Sequence, residues 1–213
     1  MDFADVVRSR RMVRAYHSHR PVPDAVLDRL LQTAVRAPSA GFSQGWDFVV
    51  CRRPADVAAF WAATTDPAAE PDAWLQGLQT APVLVVCLSD PERYLRRYAE
   101  PDKGWTEDDR EQRLAHWPVP YWDVDTGMAA LLMLLTAVDE GLGACFFGVP
   151  PERHAAVLEA LQAPPDRRVV GVVSIGHAAP DRRSPSLRRG RRPVGETGHD
   201  GRFGVPWRLR SHA

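Results

Sequence analysis

The segment from about residue 123 to residue 140 constrains the fold most strongly, because it is apolar almost all the way round a helical wheel. Its large apolar residues recur at helical spacing: Met128, Leu131, Leu132, Leu135 and Val138. The Gly-Leu-Gly run that follows is typical of a helix end. A helix without a polar face needs neighbours on most sides. We therefore predict a long central helix with the rest of the chain packed around it.

Shorter patterns predict strands and further helices on either side of this helix. Four runs predict strands: 46–51, 83–88, 144–147 and 169–175. The continuous apolar run 83–88 is typical of a buried strand. Capping residues and helical spacing predict additional helices: 2–8, one opened by Pro23 and Asp24, 55–63, 72–80 and 151–161. The mixture predicts an α+β fold.

Length and charge limit the class of protein. A chain of 213 residues is long enough for one globular domain with a sizeable core, so we predict a single domain over 1–213. The 27 basic and 27 acidic residues give a formal net charge of zero. We therefore expect no nucleic-acid partner and no anionic membrane partner, and any anion has to be bound by a local cluster.

No segment has the pattern of a membrane span or a secretory leader. The longest apolar stretch, 128–138, is about half of the roughly 20 residues that a span needs. The N-terminus lacks the apolar run of a signal peptide. Cys51, Cys87 and Cys145 each lie in apolar sequence, which predicts reduced core thiols. We expect a cytoplasmic protein without disulfides.

The stretch 100–120 leaves two interpretations open. It is charged throughout but also contains Trp105 and Trp117. One interpretation is a solvated excursion between a strand and the central helix. The other is a lid over a binding pocket, because tryptophans on a polar segment offer apolar area that needs covering.

Four motifs contain the residues best suited to bind a ligand. The run Arg10-Arg11-Met12-Val13-Arg14 places three guanidinium groups within five residues, which suits a phosphate. The block at 37–48, APSAGFSQGWDF, has small residues that let backbone amides approach a ligand. The other two motifs are GLGACFFG at 141–148 and LRRGRRP at 187–193. Taken singly, each has a plainer explanation as surface, loop, helix cap or tail.

In this order and spacing, the four motifs resemble the nitroreductase superfamily of FMN enzymes. The resemblance runs from about residue 2 to residue 204, and the block at 38–48 is its most specific part. It implies a three-layer α-β-α fold with a central mixed, mainly antiparallel sheet. It also implies an interlocked homodimer with two FMN sites at the interface, to which an extended tail at 180–213 contributes.

The resemblance implies an FMN site built from both chains. One chain would hold the phosphate, the ribityl chain and the ring edge through Arg10, Arg11, Met12, Arg14, Arg189 and Arg191. The partner chain would reach the same flavin through Pro38, Ser39, Ala40 and Phe42. The backbone would line the ring near N5 at Cys145, Phe147 and Gly148. Gln44 and Trp46 would support the loop.

The implied reaction is hydride transfer through flavin N5, for which no catalytic side chain is required. NADH or NADPH would reduce the bound FMN and leave. A small electron-poor acceptor such as a nitroaromatic or a quinone would then use the same space in a ping-pong cycle. We expect an apolar slot over the flavin bordered by Phe42, Trp74, Trp117 and Tyr121.

Three residues depart from the family pattern. Met12 stands where serine is common, Phe42 where asparagine is frequent, and Gly45 where proline is frequent. The block at 41–48 also resembles the branch that fragments reduced flavin to 5,6-dimethylbenzimidazole, but that branch carries an aspartate where this chain has Met12. Three alternatives stay open: a flavin-fragmenting enzyme, a pathway-specific flavin oxidase or dehydrogenase, and a non-catalytic flavin-binding protein.

No other cofactor motif competes with these four. The histidines lack the spacing of a zinc site, so we expect no metal. No Gly-x-Gly-x-x-Gly follows a predicted strand. The nicotinamide cofactor would therefore visit as a substrate instead of binding to a Rossmann domain.

Overall fold

The computed structural model describes residues 1–66, 68, 70–105, 109–181 and 184–209. The chain divides into two compact units, Met1–Asp181 and Arg182–Ala213. The strands of the first unit are β1 (Trp46–Cys51), β2 (Val83–Ser89), β3 (Gly143–Phe147) and β4 (Arg168–Gly176). Its helices are α1 (Phe3–Ser9), α2 (Asp24–Ala34), α3 (Pro54–Thr64), α4 (Ala73–Leu78), α5 (Pro91–Tyr98), α6 (Arg110–Ala115), α7 (Tyr121–Asp139) and α8 (His154–Ala160).

The four strands form one sheet in the order β1-β2-β4-β3, and each neighbouring pair is antiparallel. All four predicted strands are confirmed, and β1 has the predicted bounds. Parallel pairing is confined, in the described part of the chain, to an isolated bridge between Met12 and Ala144. Every residue of β2 is buried, as its continuous apolar run predicts for a strand covered on both faces.

Alternate residues of β2 enter two separate cores, which gives the fold its three layers. Val85 and Cys87 point into a core shared with α2 and α7, while Leu84 and Val86 point into one shared with α3 and α8. This alternation follows from the two-residue period of a strand. The predicted α-β-α arrangement is therefore confirmed. The three free cysteines are buried, which confirms the prediction of core thiols.

The long apolar helix predicted from the sequence is α7, with 19 residues. Its end is a glycine cap, because Gly141 has a φ of 70° and the Leu142 N–H donates to the Ala137 carbonyl at 2.8 Å. Of the helices described, α7 is long and apolar enough to cross a membrane by length and composition. In this fold it packs against the sheet and α2 as a core helix.

The prediction that α7 is covered on almost all sides is only partly correct. Val124 is 41% exposed and Leu131 is 47% exposed. Met128 and Leu135 are half-buried. These four residues are spaced four, three and four apart, so they lie on one face of the helix. We call them the α7 stripe. Val124 and Leu131 are its exposed members, whereas Leu135 borders a cavity together with Phe3 and Val6 of α1.

Between β2 and α7 the structure adds α5, for which the sequence analysis predicted no element. Asp90 caps this helix by accepting from the Glu92 N–H at 3.0 Å, and Pro91 occupies its first position. The stretch 100–120 contains α6, whereas 106–108 lie outside the described residues. Whether this stretch acts as a lid stays a prediction.

The second unit is described over 184–209. It contains a 3-10 turn at Pro185–Arg189, the short helix α9 (Val194–Thr197) and an isolated antiparallel bridge between His199 and Pro206. Gly190 ends the turn with a φ of 67°, a conformation that favours glycine. The predicted tail at 180–213 nearly coincides with this unit.

Candidate functional site

The arginine segment lies along the outer edge of β3. It leaves α1 at Arg10, and the Val13 N–H then donates to the Ala144 carbonyl at 3.0 Å. The Met12 sulfur accepts from the Phe146 N–H at 3.5 Å. The structure thus brings the first and third motifs together, although more than 120 residues separate them in sequence. We call this region the β3-edge region.

Two features bind this segment closely to the sheet. A Cβ atom on Gly143 would lie 2.8 to 2.9 Å from three side-chain atoms of Val13, so the glycine allows the two backbones to approach. The Tyr16 hydroxyl donates to the Val13 carbonyl at 2.6 Å and lies 2.8 Å from Ser174 Oγ. Burial raises the pKa of Tyr16, which keeps this phenol neutral.

Beyond Arg14 the chain pairs with the residues that follow β4. The His17 N–H donates to the His177 carbonyl at 2.9 Å, and the Ala179 N–H donates to the Ala15 carbonyl at 3.0 Å. The Arg14 N–H donates to Asp181 Oδ2 at 3.0 Å. The backbone of the arginine segment is therefore held on both sides of Arg14, while the guanidinium groups take no part in holding it.

The charges of the segment are not neutralised within the described residues. No carboxylate there forms an ion pair with Arg10, Arg11 or Arg14, whereas Arg97 and Arg167 are both paired. Arg10 Nη1 is buried and has no hydrogen-bond partner among the described residues. A buried N–H group without an acceptor is destabilising, so this atom fits an anionic ligand such as a phosphate.

The second motif forms a tight turn before β1. Gly41, Phe42 and Gln44 have φ values of 59°, 55° and 49°, so two residues other than glycine adopt the left-handed conformation. Such strain is retained only where the surroundings over-determine the backbone, and it is often found at functional sites. The Gln44 N–H donates to Ser39 Oγ at 3.0 Å, and Ser43 Oγ donates to the Ala40 carbonyl at 2.7 Å.

Side chains of α5 and α7 hold this turn from behind. Asp125 Oδ2 accepts from the Ala40 N–H at 2.8 Å and from the Tyr94 hydroxyl at 2.7 Å. Arg97 Nε donates to the Gly41 carbonyl at 2.9 Å. The Phe42 side chain points outward and is 75% exposed. We call the turn and the side chains that hold it the β1-edge region.

A single chain does not bring the two regions together. β1 and β3 are the opposite edges of the sheet, so three strand spacings, roughly 14 Å, separate them. Trp46 begins β1 at the end of the sheet where β3 finishes, whereas the arginine segment bridges to Ala144 near the start of β3. Pro38, Ser39, Ala40 and Phe42 therefore lie away from the arginine segment of their own chain.

The four residues predicted to border an acceptor slot lie in different surroundings. Trp74 of α4 packs edge-on against Phe147 at 6.1 Å between ring centroids. Trp117 and Tyr121 are 5.8 Å apart, in an aromatic cluster completed by Tyr94, Tyr98, Trp105 and Trp122. Phe42 makes no ring contact with the described aromatic residues. The slot stays a prediction.

The other residues predicted to contact the flavin lie on or just after β3 and in the second unit. Cys145 and Phe147 are buried on β3, and burial raises the pKa of the Cys145 thiol. Phe147 stacks on Trp61 at 5.7 Å, whereas Gly148 after it is exposed. Arg189 and Arg191 are exposed residues of the second unit. Their role in cofactor binding stays a prediction.

Sequence reasoning missed the residues that hold the two regions in place. Tyr16 and Tyr94 carry no motif, and their partners are distant in sequence. Asp125 left a weak signal, because it is a carboxylate in an apolar helix. The first turn of a helix favours acidic residues, however, so this carboxylate had a plainer explanation.

The fold and the two motif regions define a class of oxidoreductase, and comparison with known proteins identifies it. The family model described as Nitroreductase family matches residues 7–177, so the chain belongs to the nitroreductase family. It is similar to an NADH dehydrogenase of Thermus thermophilus, at 30% identity over 197 residues that cover 84% of this chain and 88% of the relative.

Solved structures show the same fold. A nitroreductase family protein of Clostridium difficile has a TM-score of 0.67 at 20% identity, covering 95% of this chain and 100% of that one. An FMN-dependent nitroreductase of Clostridium difficile has a TM-score of 0.66 at 21% identity, covering 93% of this chain and 98% of that one. The family and the fold implied by the sequence resemblance are therefore confirmed.

Proposed function

We propose that this oxidoreductase binds FMN and transfers hydride from NADH or NADPH to a small electron-poor acceptor such as a nitroaromatic or a quinone. One structural neighbour is named an FMN-dependent nitroreductase, and the relative at 30% identity is named an NADH dehydrogenase. These names support a flavin and a nicotinamide donor.

The observation that carries the proposal is the buried Arg10 Nη1, which lacks a partner within the described residues. Arg11 and Arg14 add two further guanidinium groups without ion pairs there. A flavin phosphate would supply the acceptors and the negative charge that this cluster lacks. The donor set of the β3-edge region therefore fits FMN.

We propose that two copies of the chain build each site. The β1-edge region lies across the sheet from the arginines, so a second chain is needed to bring Phe42 and Ala40 to the same flavin. The exposed α7 stripe supports this proposal, because an apolar helix face of this kind is typical of a surface that a partner covers. Homodimerisation would bury both features.

Within such a site the chain's own residues bind and orient. Arg10, Arg11 and Arg14 would hold the phosphate, and the backbone near Phe147 and Gly148 would lie beside the ring. A bound flavin would supply hydride-transfer chemistry at its N5 atom. The Cys145 thiol stays protonated because burial raises its pKa, so it is not available as a nucleophile.

The absorbance spectrum of the purified protein tests cofactor binding directly. We expect flavin bands in the wild-type protein and a loss of affinity for FMN in Arg10→Ala, on the order of 100-fold, since a charge-assisted contact contributes up to about 3 kcal/mol. Arg20→Ala is the matched control, because Arg20 is exposed and has no ion pair among the described residues. Equal FMN affinity in both variants would contradict the phosphate assignment.

Anaerobic stopped-flow separates an enzyme from a flavin-binding protein without turnover. Bleaching of bound flavin by NADH or NADPH supports the proposed oxidoreductase, and no bleaching with either donor refutes it. Formation of 5,6-dimethylbenzimidazole from reduced FMN and oxygen would instead identify the flavin-fragmenting alternative. The identity of the best acceptor follows from the same instrument by mixing the reduced protein with nitroaromatics and quinones.

A further inference from the structure

The carboxylate of Asp125 is buried without a countercharge among the described residues. Asp125 is 1% exposed, and no cationic side chain among the described residues forms an ion pair with it. Within the described part of the chain, Asp125 Oδ2 accepts two hydrogen bonds, from the Ala40 N–H and from the Tyr94 hydroxyl. A buried carboxylate is destabilising unless its contacts compensate for lost hydration. An unpaired one therefore calls for an explanation beyond stability.

Both of its partners belong to the β1-edge region. Tyr94 is fully buried, and its ring leaves no room for a Cβ atom on Gly45, which would lie 2.3 Å from Tyr94 Cε2. The same Cβ would lie 2.8 Å from the Asp90 carbonyl oxygen. This accounts for the departure from the family pattern at Gly45. Tyr94, Asp125 and Gly45 thus form one interlocked set behind the turn.

Asp125 also connects the turn to the helix that carries the exposed stripe. Val124, its neighbour in sequence, faces outward on α7, while Asp125 faces inward to the Ala40 amide. Because both lie on the same helical turn, the position of Ala40 is fixed relative to the α7 stripe. Any partner that packs on the stripe would therefore meet the turn in a defined place.

We propose that Asp125 is a positioning residue. Its carboxylate, shared between Tyr94 and the Ala40 amide, holds the Ser39–Phe42 turn so that Phe42 is preset to meet an FMN bound to the partner chain. This inference rests on the proposed function. It adds a residue that the cofactor motifs do not contain and that touches neither the cofactor nor the substrate.

The test compares carboxylate variants on one helix. Asp125→Ala removes both hydrogen bonds, and we expect FMN affinity to fall on the order of 100-fold, because the turn would then have to be ordered when FMN binds. Asp125→Asn keeps an oxygen that can accept both bonds, and we expect it to restore affinity to within about fivefold of wild type. Affinity is measured by quenching of flavin fluorescence as apoprotein is added.

Asp123→Asn is the matched control. Asp123 lies half a helical turn away and contacts Ser89 Oγ at 2.6 Å and Arg168 Nη2 at 3.0 Å, not the turn. We expect this variant to lose stability without losing FMN affinity. A similar loss of affinity in Asp123→Asn and Asp125→Ala would overturn the positioning role, because a general structural effect would then explain both.

Hydrogen exchange at the Ala40 amide tests the same role without FMN. We expect protection of this amide to fall at least about tenfold in Asp125→Ala and to persist in Asp123→Asn. If Asp125→Ala does not fold, Tyr94→Phe replaces it, because it keeps the ring against Gly45 and removes one donor to Asp125. Unchanged Ala40 protection and FMN affinity in the folded variant overturn the inference. Absence of FMN binding by the wild-type protein overturns the proposed function instead.

Discussion

The β3-edge and β1-edge regions are held in place by different kinds of interaction. Backbone pairing and close apolar contact position the arginine segment at β3, which leaves its guanidinium groups without ion pairs among the described residues. Side chains position the turn before β1, through Asp125, Tyr94 and Arg97. The first region presents guanidinium groups without ion pairs among the described residues, two of them half-buried, and the second exposes the aromatic ring of Phe42.

This difference indicates which region is more sensitive to substitution. Backbone pairing survives most side-chain changes, so the arginines can be replaced one at a time without loss of the segment's path. A turn with left-handed Phe42 and Gln44 depends on the side chains that surround it. Each region also contains a glycine at a close approach whose φ is not in the left-handed range, Gly45 in one and Gly143 in the other, which allows a direct comparison.

The largest effect is expected for Gly45→Ala. The added Cβ would lie 2.3 Å from the buried Tyr94 ring and 2.8 Å from a backbone carbonyl, and neither can move freely because Tyr94 is fixed to Asp125. We expect a loss of about 3 kcal/mol in the free energy of unfolding, at the upper end for overpacking. Urea unfolding followed by tryptophan fluorescence measures this loss.

Gly127→Ala is the control for Gly45→Ala. Gly127 lies inside α7 on the face of the stripe, and within one chain no atom comes within 4 Å of the position of its added Cβ. In the dissociated chain, at low protein concentration, we expect it to be stabilising by up to about 1 kcal/mol, because alanine favours helices over glycine. A loss of less than about 1 kcal/mol in Gly45→Ala would show that the β1-edge region can relax and is not the more sensitive of the two regions.

Gly143→Ala is expected to have a smaller effect. The three atoms nearest its Cβ would be side-chain atoms of Val13, at 2.8 to 2.9 Å, and not backbone, so we expect the segment to shift outward along the sheet edge. We expect a loss of about 2 kcal/mol in stability. We also expect weaker FMN binding, since the shift moves the arginines that follow and precede Val13. The same urea titration and a flavin titration measure the two effects.

Val13→Ala provides the partner for a double-mutant cycle. It removes two of the three atoms that the new Cβ would meet, Cγ1 and Cγ2. The combined variant should therefore lose less stability than the sum of the two single losses, with a coupling energy of about 1 kcal/mol. Additive losses would show that Val13 is not the residue that Gly143 accommodates.

The two regions also differ in how far sequence alone could predict them. The apolar runs and the glycine-ended central helix predict the strands, α7 and the three layers, because these depend on local periodicity. The pairing of Met12 and Val13 with β3 leaves no local trace, since it joins segments far apart in sequence. The motif at 38–48 was visible, but the side chains of Tyr94 and Asp125 that hold it were not.

The α5 helix shows why some elements could not be predicted from the sequence. Its charged sequence, PERYLRRY, has only Tyr94 and Leu95 buried among its central residues, so its apolar signal was too weak to indicate a helix. The cap by Asp90 and the following proline were the signals that could have found it. The full extent of the α7 stripe was equally invisible, because apolar residues facing a partner and those facing a core have the same pattern.

Tyr16→Phe should have a smaller effect on the stability of the β3-edge region than Gly143→Ala. The hydroxyl contacts the Val13 carbonyl at 2.6 Å and Ser174 Oγ at 2.8 Å, and its loss leaves the carbonyl without this donor. We expect a loss of about 1.5 kcal/mol in stability, with FMN affinity changed by less than the change in Gly143→Ala. A loss of FMN affinity as large as in Arg10→Ala would mean that Tyr16, not backbone pairing, positions the arginines.

The smallest effect concerns the three buried thiols, which report on the two sheet edges separately. Cys51 lies on β1, Cys145 on β3 and Cys87 on the central strand β2. Burial raises the pKa of Cys51 to about 11 and that of Cys87 to about 12. All three thiols should therefore react slowly with iodoacetamide at pH 8, and mass spectrometry of timed samples measures each rate.

The order of these rates sharpens the comparison between the edges. Edge strands open locally more easily than central ones, so we expect Cys87 to react last. Because the native state keeps the thiols protonated, their contribution to stability is full below pH 9 and is lost as the pH rises through the native pKa of each thiol. Equal rates at all three positions would show that the sheet opens as one unit, so that the two regions are not independent.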